Sequence, residues 1–214
     1  LRADLSQIDD PKTKQLFSEL GYKTLSGDLG FKGSWDVATG TIKVNEYALT
    51  LNDVGRLAMQ LEVSGYTLKF IEGLQQAQAA AAANPDPKAA EQAMGFAMLG
   101  MLQQLSFNSA SIRFDDASVT RRALAFAGKQ QGISGEQMGQ ALRGMLPLML
   151  GQLGIPALQQ QISVAANAFF ENPKNLTISA KPAQPVAVPV IMGAGMGDPR
   201  SLVDLLNVKV TAND

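Results

Sequence analysis

The sequence predicts an α+β fold: an antiparallel sheet, made of an N-terminal three-stranded meander plus later strands, with one face covered by about five charge-poor helices. Three observations predict it. Between Thr24 and Tyr66 apolar and polar residues alternate with the period of a strand. After Gly65 the period becomes helical and ionised residues thin out, so that none stands between Glu91 and Arg113 or from Gly144 to Phe170. Short alternating segments then return near 107–114, 175–181 and 207–212. Strands first, helices next and isolated strands last is the order of an α+β chain. Residues 1–214 are expected to form a single domain, because a bare meander would leave its apolar face in water.

The elements follow in chain order. Asp9 and Asp10 suit a helix cap, Pro11 its first turn and Gly21 its stop, which predicts a short helix over Asp9–Leu20. The meander occupies 22–66. Leu25, Leu29, Phe31 and Trp35 alternate with Ser26, Asp28, Lys32 and Ser34 in its first strand, and Asp36 to Gly40 carry turn residues. In the second strand, Thr41 to Leu51, Ile42 and Val44 share one parity while Tyr47, Leu49 and Leu51 share the other. A bulge near Asn45-Glu46 reconciles them, since one extra residue returns the later side chains to the same face. Asn52 to Gly55 make the next turn, and Leu57, Met59, Leu61 and Val63 the third strand.

A helical layer is expected over 67–171, with a strand inserted near 107–114. Its first helix ends at Asn84-Pro85-Asp86-Pro87; its second, about Lys88 to Leu105, should be largely buried for want of charge. Asp115 to Ser118 open a third helix through Leu124 and Phe126. Pro147, Gly151, Gly154 and Pro156 divide the uncharged stretch into two amphipathic helices, near Gly135–Leu153 and Pro156–Phe170, and argue against a transmembrane span. Residues 182–199 read as a Pro/Gly-rich connection, Ser201 to Leu206 as a short helix, and strands near 175–181 and 207–212 complete the sheet.

Composition excludes several chemistries. With neither cysteine nor histidine, thiolate nucleophiles, disulfides, Cys/His zinc sites and imidazole bases are ruled out. The 18 basic and 19 acidic residues nearly cancel, and no window gathers the Lys/Arg cluster that phosphate neutralisation requires, so nucleic acid is not an expected partner. No metal or other cofactor is expected. At 17% charged residues against 46% apolar, below the roughly 25% charged of an ordinary domain, glutamine wets much of the helical surface.

Few residues invite a chemical reading. Asp115 and Asp116, ahead of Ser118, Thr120, Arg121 and Arg122, form the densest polar cluster; two carboxylates suit a metal or acid/base site, but helix capping accounts for them more simply. Gly193 to Pro199 has the glycines of a phosphate loop without its Lys-Ser/Thr ending or its strand–helix context. There is no Gly-x-Ser-x-Gly elbow. The remaining candidates are apolar: Met94, Phe96, Met98 and Met101 on one helix, Met138, Met145 and Met149 on another. Flexible thioethers fill packed cores, and they also line adaptable cavities for greasy ligands.

Leu20-Gly21-Tyr22, Leu25 to Asp28, Trp35-Asp36, Thr39-Gly40-Thr41 and Leu49 to Gly55 resemble uncharacterised bacterial cell-envelope (periplasmic) proteins with a β-meander. The resemblance spans Leu20 to Gly55 and implies an exported protein handling lipid; it supplies no catalytic residue. A first residue that is not Met fits trimming by a signal peptidase, an expression design or disorder alike, and the first of these would imply export. The expectation is therefore a non-enzymatic periplasmic or exported protein that binds an apolar or lipid-like molecule between sheet and helices. The alternatives are an interaction or scaffold module, forming a homo-oligomer or docking a partner through its Met-rich helices, and a hydrolase using carboxylates near Asp115.

Overall fold

The computed structural model describes residues 1–7, 9–151 and 154–214. The first strand, β1 (Arg2–Asp4), leads through a short 3-10 turn into helix α1 (Pro11–Glu19), whose N-cap Asp10 accepts a hydrogen bond from the Thr13 amide. The meander follows as β2 (Thr24–Asp36), β3 (Thr41–Leu51) and β4 (Gly55–Ser64). The bulge falls where the parity of β3 breaks. Lys32 faces Glu46 and Gly33 faces Val44, which leaves Asn45 unmatched. On the other side of β3 the register with β4 shifts between Val44 and Tyr47.

Thr67 caps helix α2 (Leu68–Ala83), accepting from the Phe70 amide, and Asp86 caps α3 (Pro87–Leu102). Gly65, at φ +95°, makes the bend into α2; a Cβ there would run into the Gln104 carbonyl. Strand β5 (Ser106–Asp116) pairs antiparallel with β4 over its whole length. Helices α4 (Val119–Gln130), α5 (Gly135–Leu150) and α6 (Pro156–Glu171) lead to β6 (Asn175–Ala180), also antiparallel to β5. Ser134 and Gln137 close a capping box at the start of α5, and Pro147 lies within that helix instead of ending it. The end expected for it at Leu153 lies outside the described residues.

One expected connection is a helix. Residues 182–199 hold a two-residue strand, β7 (Val186–Ala187), paired with the start of β5, and then helix α7 (Val188–Gly197). Pro189 sits in its first turn, where a missing N–H is tolerated. Glycines at 193, 195 and 197 weaken such a helix without forbidding it. Helix α8 (Ser201–Leu205) and strand β8 (Val208–Ala212) finish the chain.

All the strands join one sheet, ordered β1-β2-β3-β4-β5-β6-β8, with β7 beside β5. Its two edges differ. Beyond β8, the Val210 amide donates to Gln161 Oε1 of α6 at 3.0 Å, so that edge is covered. At the other, β1 pairs with β2 only over Thr24–Ser26, with Leu1 reaching Gly27. The rest of β2 is an open edge.

Every helical segment connects strands at an end of the sheet. Helices α2 and α3 join β4 to β5 where the β2–β3 hairpin turns; α4, α5 and α6 join β5 to β6 at the opposite end, with α1 beside them. There Arg122 donates to the carbonyls of Leu20 and Gly21 and stacks over the Tyr22 ring. The α+β class with an antiparallel sheet is what the chain adopts; α6 lies along the β8 edge, and the centre of the apolar face is left exposed. Helix α3 is not the buried element that its lack of charge suggested. Its Phe96, Met98 and Leu99 are exposed, and Met101 is the side chain buried against α2.

Candidate functional site

The pleat sorts the sheet into two unlike faces. Residues opposite one another on neighbouring strands share a face, and two uninterrupted apolar rows cross six strands. One runs Leu29, Leu49, Leu57, Phe114, Leu176, Ala212; the next runs Phe31, Tyr47, Met59, Ile112, Ile178, Val210. A third begins at Gly33 and passes through Val44, Leu61, Ala110, Ala180 and Val208. In an ordinary domain such rows would be covered.

Here the middle of that face is open. Exposure runs from 37% at Met59 through 47% at Ile112 to 66% at Phe31. Helices reach it from its ends. At one end Trp35 packs edge-on to Tyr66, with ring centroids 6.0 Å apart, and donates its indole N–H to the Tyr66 carbonyl; Tyr66 in turn meets Phe70 of α2. At the other, the buried Phe169 of α6 packs edge-on to Phe114 at 6.3 Å. Between these two clusters lies an apolar floor without a ceiling.

The opposite face is polar and laced with charge. Arg56 bridges Glu46 and Asp115, each at 3.5 Å, and Arg113 bridges Asp115 and Asp214, each at 2.8 Å. These contacts, with the Asp115 hydrogen bond the largest cause, raise Arg113 further above its ordinary value. The Asp214 carboxyl is held below its ordinary 3.8, chiefly by the Thr211 hydroxyl and next by Arg113, against an opposing desolvation. A carboxylate depressed in the folded state contributes stability above its unfolded pKa and loses it as pH falls through the folded one. Urea-unfolding midpoints should therefore drop as pH is lowered from about 5 to about 2, and Asp214→Asn should flatten that slope. An unchanged slope would remove Asp214 from the acid response.

The residues singled out by the sequence do not form one site. Met94, Phe96, Met98 and Met101 lie on α3, packed against α2; Met138, Met145 and Met149 lie on α5, packed against α4 and α6 at the other end of the sheet. Met101 and Met138 are buried, Met94 is half-buried, and Phe96, Met98, Met145 and Met149 are exposed. On α3, Gln92, Gly95, Phe96, Met98 and Leu99 border a shallow hollow of about 610 Å³. Asp115 and Asp116 divide their roles: Asp115 joins the ion-pair ladder, whereas Asp116 Oδ1 accepts from the Thr120 amide at 2.8 Å and starts α4. Ser118 bonds to the Asp53 carbonyl instead of capping. Among the described residues no three acidic side chains gather to hold a metal ion, and no helix is long and apolar enough to cross a membrane.

The open floor is built from strand residues that the sequence marks as one-sided. Their alternation was legible; that the described helices leave the centre of the face exposed was not. No curated protein and no solved structure matches the chain. A family model described as "Uncharacterized protein" matches residues 48–213, from within β3 through β8. With most of its length so matched, the chain belongs to that family of uncharacterised proteins.

Proposed function

We propose that this protein is a non-enzymatic carrier of elongated, lipid-like apolar molecules in the bacterial envelope, holding them on the open face of its sheet. The observation that carries this reading is the pair of apolar rows crossing six strands with exposed Leu29, Phe31, Met59, Ile112 and Ile178 between two aromatic end clusters. Contiguous apolar surface of this extent marks a binding site in a folded protein. The surface area agrees. The chain exposes 13528 Å², whereas a compact monomer of its mass exposes about 9,500 Å². The meander's resemblance to envelope proteins supports the envelope setting.

A second reading is favoured by Phe96 and Leu99 on α3 and by Leu148 and Met149 on α5, apolar residues exposed away from the sheet. They suit a scaffold that assembles with further copies or a partner. Titration with a pyrene-labelled fatty alcohol, followed by native mass spectrometry, separates the two. Carriage predicts saturable fluorescence enhancement and a monomer retaining the probe. A probe-free dimer in which Phe96, Leu99, Leu148 and Met149 are protected from surface labelling overturns it in favour of assembly.

A further inference from the structure

Where α4, α5 and α6 meet, beside Phe169, lies a cleft in two joined compartments. The first, about 370 Å³ and widely open to solvent, is bordered by Ala123, Leu124, Ala127, Leu142, Phe169 and Phe170, with Thr120 as a polar neighbour. Leu124 and Phe170 also line the second, about 430 Å³ and the more enclosed of the two, whose other walls include Arg121, Arg143, Glu136 and Glu171. Each volume falls within the range of small-molecule sites. Polar and apolar linings are thus segregated along one path, the arrangement that an amphiphile requires.

The charges of the second compartment are unspent. On the sheet Arg56 and Arg113 are locked to carboxylates, and Arg122 is held by two carbonyls and a ring. Among the described residues neither Arg121 nor Arg143 forms an ion pair, and neither do Glu136 and Glu171. Two guanidiniums present forks that match phosphate oxygens, while two carboxylates accept hydrogen bonds from an ammonium. Both signs at one mouth complement a head that carries both.

We infer that this cleft reads the head of a single-chain lipid bearing a phosphate and a primary ammonium, with Arg121 and Arg143 donating to the phosphate, Glu136 and Glu171 accepting from the ammonium, and the alkyl chain entering toward Phe169. The inference rests on the carriage reading and adds a head-group preference to it. Phe169 connects the two regions, since it lines the cleft and packs on Phe114 of the apolar floor.

The test is calorimetric titration of the full chain, below the micelle threshold, with lysophosphatidylethanolamine, lysophosphatidylglycerol and an uncharged monoacylglycerol of equal chain length. Hydrogen bonds to charged groups predict a preference of at least about tenfold for the first over the third. The double variant Arg121→Gln/Arg143→Gln should erase that preference. Glu136→Gln/Glu171→Gln should shift it toward lysophosphatidylglycerol. All four positions are exposed or half-buried helix-surface sites, so circular dichroism should be unchanged. Equal binding of all three lipids would overturn the head-group site while leaving carriage intact, and so would equal binding of both phosphate-bearing lipids. Binding of none, with no uptake of the fatty alcohol either, would overturn both.

Discussion

Replacing Ile112 by lysine should abolish retention of an uncharged acyl probe while leaving the fold in place. Ile112 is the centre of its row, between Met59 and Ile178, on a strand paired on both sides. Its side chain is 47% exposed, so a lysine there needs no buried ammonium in the empty protein and can extend into solvent. A bound alkyl chain would change that, covering the ammonium and stripping its water without offering a partner. Affinity should fall by more than about tenfold. Ser111→Lys is the matched control, one residue away on the polar face beside Gln60 and Ser179, and should leave affinity unaltered. Equal binding by the Ile112 variant and the parent would move the site away from the sheet.

Phe169→Ala should give the largest loss of stability. Phe169 is 7% exposed, packs on Phe114 across the helix–sheet junction and on its neighbour Phe170, at 5.9 Å, within the helical group. Truncating a buried phenylalanine costs about 3–5 kcal/mol, through lost apolar contact and the cavity left behind. So little of this chain is fully buried that few other side chains can compensate. Urea unfolding followed by circular dichroism would measure it. A loss below about 1 kcal/mol, the scale of ordinary surface changes, would show that α6 is held by Gln161 and Asn213 at the β8 edge more than by this aromatic contact.

The strands were legible because a pleated ladder writes its burial pattern into the residues two apart. Phe31 and Leu29 alternate with Lys32 and Asp28, and the broken parity of β3 places the bulge near Asn45-Glu46, where the register shifts. The covering of the sheet was not legible, for two physical reasons. Absence of charge lowers the penalty for burying a helix face without dictating what it touches, and Phe96, Leu99, Leu148 and Met149 remain in solvent. A helical insertion between two antiparallel neighbours starts and finishes at the same end of the sheet, so α2 and α3 lie at the hairpin end and α4 to α6 at the other; this depends on β5 lying between β4 and β6, a pairing with no local signature. Methionine content directed attention to helices, whereas the continuous apolar surface is made by strand residues of several kinds. Arg121 stood out in sequence only as a neighbour of the Asp115 cluster, and Arg143 not at all, because only the fold brings Glu136 and Glu171 to them.

The unmatched Asn45 has a consequence for how this chain can change. By offsetting the pleat once, it keeps Ile42 and Val44 on the same side as Tyr47, Leu49 and Leu51. Deleting it, or adding one neighbour, would rotate half of the strand by a pleat and present Glu46, Ala48 and Thr50 to the greasy side. Length variation within this strand should thereby be quantised: insertions and deletions are expected to be tolerated in pairs, a single one needing a second elsewhere in the same strand to restore the face.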